Sequence, residues 1–244
     1  MKIPVIINNR NLLTWPKAMV RDLSKWEGIG DIYIVDNGST YEPLLEWYAT
    51  KPCEVVALSE NAGHQAPWLC GLVERLGSPM YAVTDPDLDL SKTSRQTIVK
   101  CVEWLQMFPT VGKVGLSLRW DDVPTRSSYY THVNTYEANR QQGSRIVNAA
   151  KIDVAIDTTF AVYNVPKYFI GGVSLLESAR HIPWYYSEKE RKADKEFSQY
   201  LASASAASSA LGSSSSPATP PPRTPARQSS SPSCSVRSLS LIHI

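Results

Sequence analysis

The sequence predicts an α/β domain, with a mixed, mainly parallel sheet, helices on both faces and a disordered carboxyl-terminal tail. Three observations predict it. Short apolar, β-branched runs alternate with helix-like segments from Ile3 to Thr84. Each run ends in a polar cluster, at residues 8–11, 36–40, 61–64 and 85–89. From about Ala202 the composition changes abruptly to Ala, Ser and Pro, which cannot bury a core.

Taken in order, residues 3–7 form the first strand. Thr14 offers an N-cap and Pro16 an early-turn proline for a helix to about Trp26, which Gly28 and Gly30 end. Residues 31–35 form the second strand. A helix over about 43–49 leads to a third strand over 53–58, and Asn61 to His64 open a helix through Trp68, Leu72 and Val73. Residues 81–84 read as a short buried strand, which Pro86 must stop because it lacks an N–H. Asp89 and Ser91 then read as the acid and cap at the start of a helix reaching about Met107. A strand over 111–118 follows, and Trp120 opens a long polar loop containing Tyr129, Tyr130 and Tyr136. Residues 157–163 read as a strand, and 180–186 as an aromatic segment before a charged run over 187–196.

Composition narrows the function. The 244 residues are 43% hydrophobic, enough for one sizeable core, and the net charge of +2 argues against a nucleic-acid binder. No apolar run approaches the roughly 20 residues that cross a bilayer. The start, Met1-Lys2-Ile3-Pro4, leads straight into a strand, so no secretory signal is expected. Cys53, Cys70 and Cys101 lack C-x-x-C spacing and read as buried reduced thiols, which fits the cytoplasm better than a zinc site; Cys234 lies in the tail. The last six residues match the translation of a sequencing adapter, and are expected to be an artefact of it.

The chemistry concentrates at Asp85-Pro86-Asp87. Two carboxylates at the carboxyl end of a strand make a hard-oxygen site suited to Mn²⁺ or Mg²⁺, above all when a phosphate completes the shell. A solvated acidic turn is the bland alternative. The four polar clusters fall at one sheet edge, however, where ligands of parallel sheets bind.

Asn9-Arg10-Asn11, Asp36-Asn37-Gly38-Ser39-Thr40, Asn61-Ala62-Gly63 and Asp85-Pro86-Asp87, in this order, resemble the GT-A glycosyltransferases. The likeness is closest to glycosyltransferase family 2 and covers about residues 3–186. With Asp157-Thr158-Thr159-Phe160 and Arg180-His181-Ile182-Pro183-Trp184-Tyr185, the chain looks like one bacterial, non-processive subgroup. The resemblance implies a GT-A-like domain over 1–201, with a nucleotide-binding half (1–91) and an acceptor half (92–201). It implies transfer of a sugar from a nucleoside-diphosphate sugar, UDP-linked as a first guess, to an oxygen acceptor: a glycan, a lipid-linked sugar or a surface-polysaccharide precursor. Asn9, Arg10, Asp36, Asn61, Gly63 and Asp85 would then face the donor, and Asp85 and Asp87 the metal, with His181 completing its shell. The family's aromatic base-binding turn is replaced here by Asn and Arg, and no Glu-Asp pair supplies the inverting base. The Q-x-x-R-W signature and transmembrane helices of processive synthases are absent, which points to single transfers, in the cytoplasm or at the inner face of its membrane.

For an inverting transfer a carboxylate must take the acceptor's proton. Asp157, an isolated acid in an apolar stretch, is the first candidate, ahead of Glu137 and Asp121. Asp121, Trp120 and Glu137 are placed on the acceptor side, where Trp120 can stack on a sugar face. Two other functions remain open. A sugar-1-phosphate nucleotidyltransferase would want a Gly-rich loop with Arg and Lys after the first strand, which residues 8–11 lack. A non-catalytic nucleotide- or carbohydrate-binding module would not need both Asp85 and Asp87.

Overall fold

The computed structural model describes residues 1–142, 145–147, 150–152, 156, 159–164 and 172–202. In it the first apolar runs become strands β1 (Ile3–Asn9), β2 (Ile29–Asp36), β3 (Glu54–Ala57) and β4 (Tyr81–Thr84). β1 pairs with β2 and β4, and β2 with β3, all in parallel. Helices α1 (Thr14–Leu23), α2 (Glu42–Ala49), α3 (Ala66–Leu69) and α4 (Leu72–Leu76) make the crossovers. The second half adds β5 (Leu88–Asp89), α5 (Thr97–Met107), β6 (Lys113–Leu118), α6 (Tyr130–Gln142), β7 (Arg145–Val147), β8 (Ala150–Ile152), β9 (Ala161–Tyr163), β10 (Val173–His181) and α7 (Glu188–Ala193). Residues 195–202 form a last helix, α8.

The sheet order is β3-β2-β1-β4-β9-β6-β10-β8-β7, with β5 paired to β10. Among the described residues, β5, β8 and β9 run against the other strands, so the sheet is mixed and mainly parallel as expected. Side-chain alternation along β1 explains why both faces are covered. Val5 and Ile7 join one core with Met19 and Leu23 of α1 and Ile98 and Trp104 of α5. Ile6 joins the other, with Trp68 and Leu72. β6 and β9 approach so closely at Gly115 that a Cβ there would lie 2.3 Å from the Phe160 carbonyl oxygen. Met1–Tyr200 form one compact unit. Among the described residues no helix is long and apolar enough to cross a membrane. Cys53, Cys70 and Cys101 are free thiols, and burial pushes Cys53 up to about 11, which makes it a poor nucleophile.

Several expected elements differ. The helix opened by Asn61 to His64 is broken into a 3-10 turn (Gly63–Gln65), α3 and α4, because Gly71 sits at φ 70, a left-handed conformation that ends one helix and starts the next. The helix expected from Ser91 begins only at Thr97. Leu88 and Asp89 pair with His181 and Arg180 of β10, and Asp89 Oδ1 accepts from the Ser91 N–H, so Asp89 closes a turn and Ser91 caps nothing. Thr14 is the first residue of α1, and not its cap. The tyrosine-bearing loop contains α6, which has no continuous apolar stripe to reveal it. β10 went unforeseen because its apolar residues give way to Glu177, Ser178 and Arg180 halfway along. Of the strand expected over 157–163, residues 161–163 are β9, and Thr159 and Phe160 precede it outside any strand. Asp157, Thr158 and the tail beyond residue 202 lie outside the described residues.

Candidate functional site

The carboxyl ends of β1, β2, β4, β6 and β10 share one edge, and the amino end of antiparallel β9 meets them there, since Ala161 pairs with Val83. Along that edge an asparagine frame fixes the loops. Asn9 lies opposite Asp36 in the β1–β2 register, and its carbonyl accepts from Asn37 N–H at 2.8 Å. Asn11, turned to φ 52, takes the Thr40 and Tyr41 N–H groups on Oδ1 at 2.7 and 3.0 Å. Asn37 accepts from Ala62 N–H at 2.7 Å and donates to the Gly63 carbonyl at 2.9 Å, tying the second polar cluster to the third. Gly38 permits this contact: at φ +71, a Cβ there would lie 2.9 Å from the Glu60 carbonyl carbon.

The frame leaves functional atoms over. Asp36 places Oδ1 on the Ser39 N–H at 2.9 Å and stands beside the Tyr48 phenol, whose ionisation is pushed well up by burial and by that carboxylate. Arg10 Nε and Nη1 and Asn9 Oδ1 are buried without a hydrogen-bond partner. A guanidinium keeps its charge at any ordinary pH, so buried donors of this kind call for an anion.

The acidic motif stands as the sequence predicts: β4 stops at Thr84, with Asp85 half-buried and Asp87 only 7% exposed. Pairing of β5 with β10 brings His181 to Asp87. The Ile182 N–H donates to the Asp87 carbonyl at 2.9 Å, and His181 Nε2 lies 3.1 Å from Asp87 Oδ2. Asp87 Oδ1 is buried and has no hydrogen-bond partner. A carboxylate oxygen held dry in this way costs on the order of 1–3 kcal/mol. Among the described residues, no group of three or more His, Cys, Asp or Glu side chains is arranged to hold a metal by itself. Asp87, Asp85 and His181 nevertheless suit an ion of the Mn²⁺ or Mg²⁺ kind, which takes one or two carboxylates and fills its shell with substrate phosphate and water.

On the far side of His181 a second cluster sets the loop after β6. Asp122 accepts from Arg180 Nε at 3.0 Å, lies 3.2 Å from Arg119 Nε and binds the Tyr185 hydroxyl. Burial, which raises the Asp122 pKa, is outweighed by the hydrogen bonds from Arg180 and Tyr185, so the carboxyl is held below its usual range. A depressed carboxyl stabilises the fold above its unfolded pKa of about 3.9 and loses that contribution as pH falls through the folded value. Asp122→Asn should therefore cost about 1 kcal/mol at pH 7 and progressively less below pH 4. Melting temperatures across that range check this; an equal deficit at pH 7 and pH 3 would rule it out.

The structure thus gathers Asn9, Arg10, Asp36, Asp85, Asp87 and His181 on one edge. Asn61 is exposed and spends Oδ1 on the Gly63 N–H, while Gly63 serves as an anchor for Asn8 and Asn37. Asp121 is exposed and pairs with Arg119 at 3.2 Å; its neighbour Asp122 is the one built into the fold. Trp120 is half-buried, and Glu137 is buried on α6. Sequence reasoning missed Asn37, Tyr48, Asp122 and the whole of α8. Of these only Asn37 carried a signal, as the residue between a strand-end acid and a glycine.

No protein-family model and no curated protein sequence matches the chain. Among solved structures, the chain is similar to glucosyl-3-phosphoglycerate synthase from Mycobacterium tuberculosis (13% identity, TM-score 0.44, covering 67% of this chain and 57% of that one). It is also similar to TarS of S. aureus (14%, 0.41, covering 67% and 28%). A third likeness is to a mycobacterial protein (13%, 0.47, covering 83% and 73%). The chain therefore spans little more than half of the synthase and less than a third of TarS.

Proposed function

We propose that the chain is a glycosyltransferase of the GT-A type, related to family 2, which moves a sugar from a nucleoside-diphosphate sugar to an oxygen acceptor with Mn²⁺ or Mg²⁺. The observation that carries this reading is Asp87: a buried carboxylate oxygen without a partner, beside His181, at the carboxyl edge of parallel strands. In this proposal Asp87 and Asp85 hold the cation, and His181 completes its shell. The bound cation would neutralise charge developing on the leaving diphosphate. Arg10 would receive phosphate oxygens, and Asp36 and Asn9 the nucleoside. A UDP-linked donor is the first to test, and the acceptor is a glycan, a lipid-linked sugar or a polysaccharide precursor.

Asp157 takes the role of base. Its support is the register of the neighbouring strand. Val83 pairs with Ala161, so buried Thr159 and Phe160, which lead into β9, stand where β4 ends and the acidic motif begins. The acid two residues before Thr159 is thus tied in sequence to the reacting edge. Thermal-shift titration with UDP, GDP, ADP and dTDP and their sugars, with Mn²⁺ or with EDTA, tests the whole reading. One nucleoside diphosphate should raise the melting temperature by several degrees with Mn²⁺ and far less with EDTA. No metal-dependent shift from any of them would overturn it.

A further inference from the structure

His181 reaches the acidic motif from a strand whose other face is clamped. Successive side chains of a strand point to opposite faces, so Arg180 and His181 turn away from each other. In the pairing with β5, Arg180 stands opposite Asp89 and His181 opposite Leu88. Arg180 Nε donates to Asp122 Oδ2 at 3.0 Å, and the Tyr185 hydroxyl donates to Asp122 Oδ1. The guanidinium carbon also lies 5.3 Å from the centre of the Tyr185 ring. One carboxylate thus ties the residue before His181 to the end of the 3-10 turn that follows it (Ile182–Tyr185). A further bond holds the same turn. Ser127, buried in the loop that also carries Asp122, donates its hydroxyl to the Trp184 carbonyl at 2.6 Å. The Trp184 ring meets the His181 imidazole edge-to-face, with centroids 5.0 Å apart. The imidazole is therefore confined between that ring and Asp87 Oδ2, 3.1 Å from its Nε2.

We propose that Asp122, which is not itself a ligand, is the positioning residue that sets His181 as the nitrogen ligand of the cation. This rests on the metal site proposed above and gives that site a cation preference. An imidazole nitrogen favours a transition ion over Mg²⁺, whereas carboxylates hold both. Groups that orient a metal-bound histidine typically change metal affinity by about 10- to 100-fold. Without the Asp122 carboxylate, Arg180 and Tyr185 lose their common acceptor and the imidazole its fixed direction. Asp85 and Asp87 stand on β4 and its turn, away from that clamp, and stay in place.

The test titrates the full chain with pyrophosphate and either Co²⁺ or Mg²⁺, the diphosphate filling the rest of the metal's shell. Asp122→Ala should lose about tenfold in affinity with Co²⁺ and little with Mg²⁺. A fold that is merely loosened would weaken both alike. His181→Ala should show the same Co²⁺ loss, and adding Asp122→Ala to it should cost nothing further, because the two act as one unit. Asp122→Asn keeps one acceptor and should fall between the parent and Asp122→Ala; it carries the comparison if Asp122→Ala does not fold. If His181→Ala loses the Co²⁺ preference and the Asp122 variants keep it, Asp122 serves stability alone and the metal site stands. If His181→Ala keeps the preference, His181 is no ligand and this inference falls, while Asp87 retains its proposed role. If the parent binds neither metal with pyrophosphate, both readings fall together.

Discussion

Asp87→Asn should weaken Mn²⁺-dependent nucleotide binding by about a hundredfold or more, while the protein stays folded. Asn preserves the shape of the side chain and removes its charge. In the parent, one Asp87 oxygen faces His181 and the other is buried without a partner. Holding that charge dry works against stability, and is explained if a cation meets it as the proposed function requires. The variant should therefore melt at the parent's temperature or slightly above it, and lose the difference between Mn²⁺ and EDTA. Calorimetric titration of the nucleotide under both conditions measures this directly. Unchanged affinity with Mn²⁺ would remove Asp87 from the metal role, and would return the acidic motif to a structural turn.

Asp157→Asn should have the opposite signature. In the proposed function an inverting transfer needs a base on the face away from the leaving diphosphate, which excludes Asp85 and Asp87, the proposed ligands of the cation. Losing a general base typically costs about 10²–10⁴-fold in rate, with donor binding largely spared. Nucleotide affinity should then match the parent while turnover collapses. Near-normal turnover would pass the role to another carboxylate, Glu137 being the buried one among those considered. Products of retained anomeric configuration would void the base argument for every acid named.

The contrast between these variants also separates two sources of knowledge about the site. Asp87 was legible without any structure, because a β-branched run stopped by Pro86 between two acids has few ways to fold. The same holds for the first strands: apolar runs that end in polar clusters placed β1, β2 and β4, and with them Asn9, Asp36 and Asp85. α1 was legible in type through Pro16 near its start and the glycines that follow it, and α5 through its amphipathic pattern, while their ends were not. α1 takes its cap from Glu196, and the chain before α5 is drawn into pairing with β10.

What the sequence by itself determined is therefore local: which segments bury an apolar face, where proline and glycine interrupt them, and which acids stand at strand ends. Only the tertiary structure decided the rest. His181 reaches Asp87 because two residues of β5 pair with the end of a strand that begins 84 residues after β5 ends, and half-polar β10 gives no local sign of this. Asp122, rather than Asp121, is held, because Arg180 and Tyr185 arrive from that same distant segment. α8 docks on the start of α1 through an acid and a phenylalanine whose partners lie at the other end of the chain. The physical reason is common to all three. Propensity and periodicity are properties of neighbours in sequence, whereas a charge or a ring is placed by groups that only folding brings near.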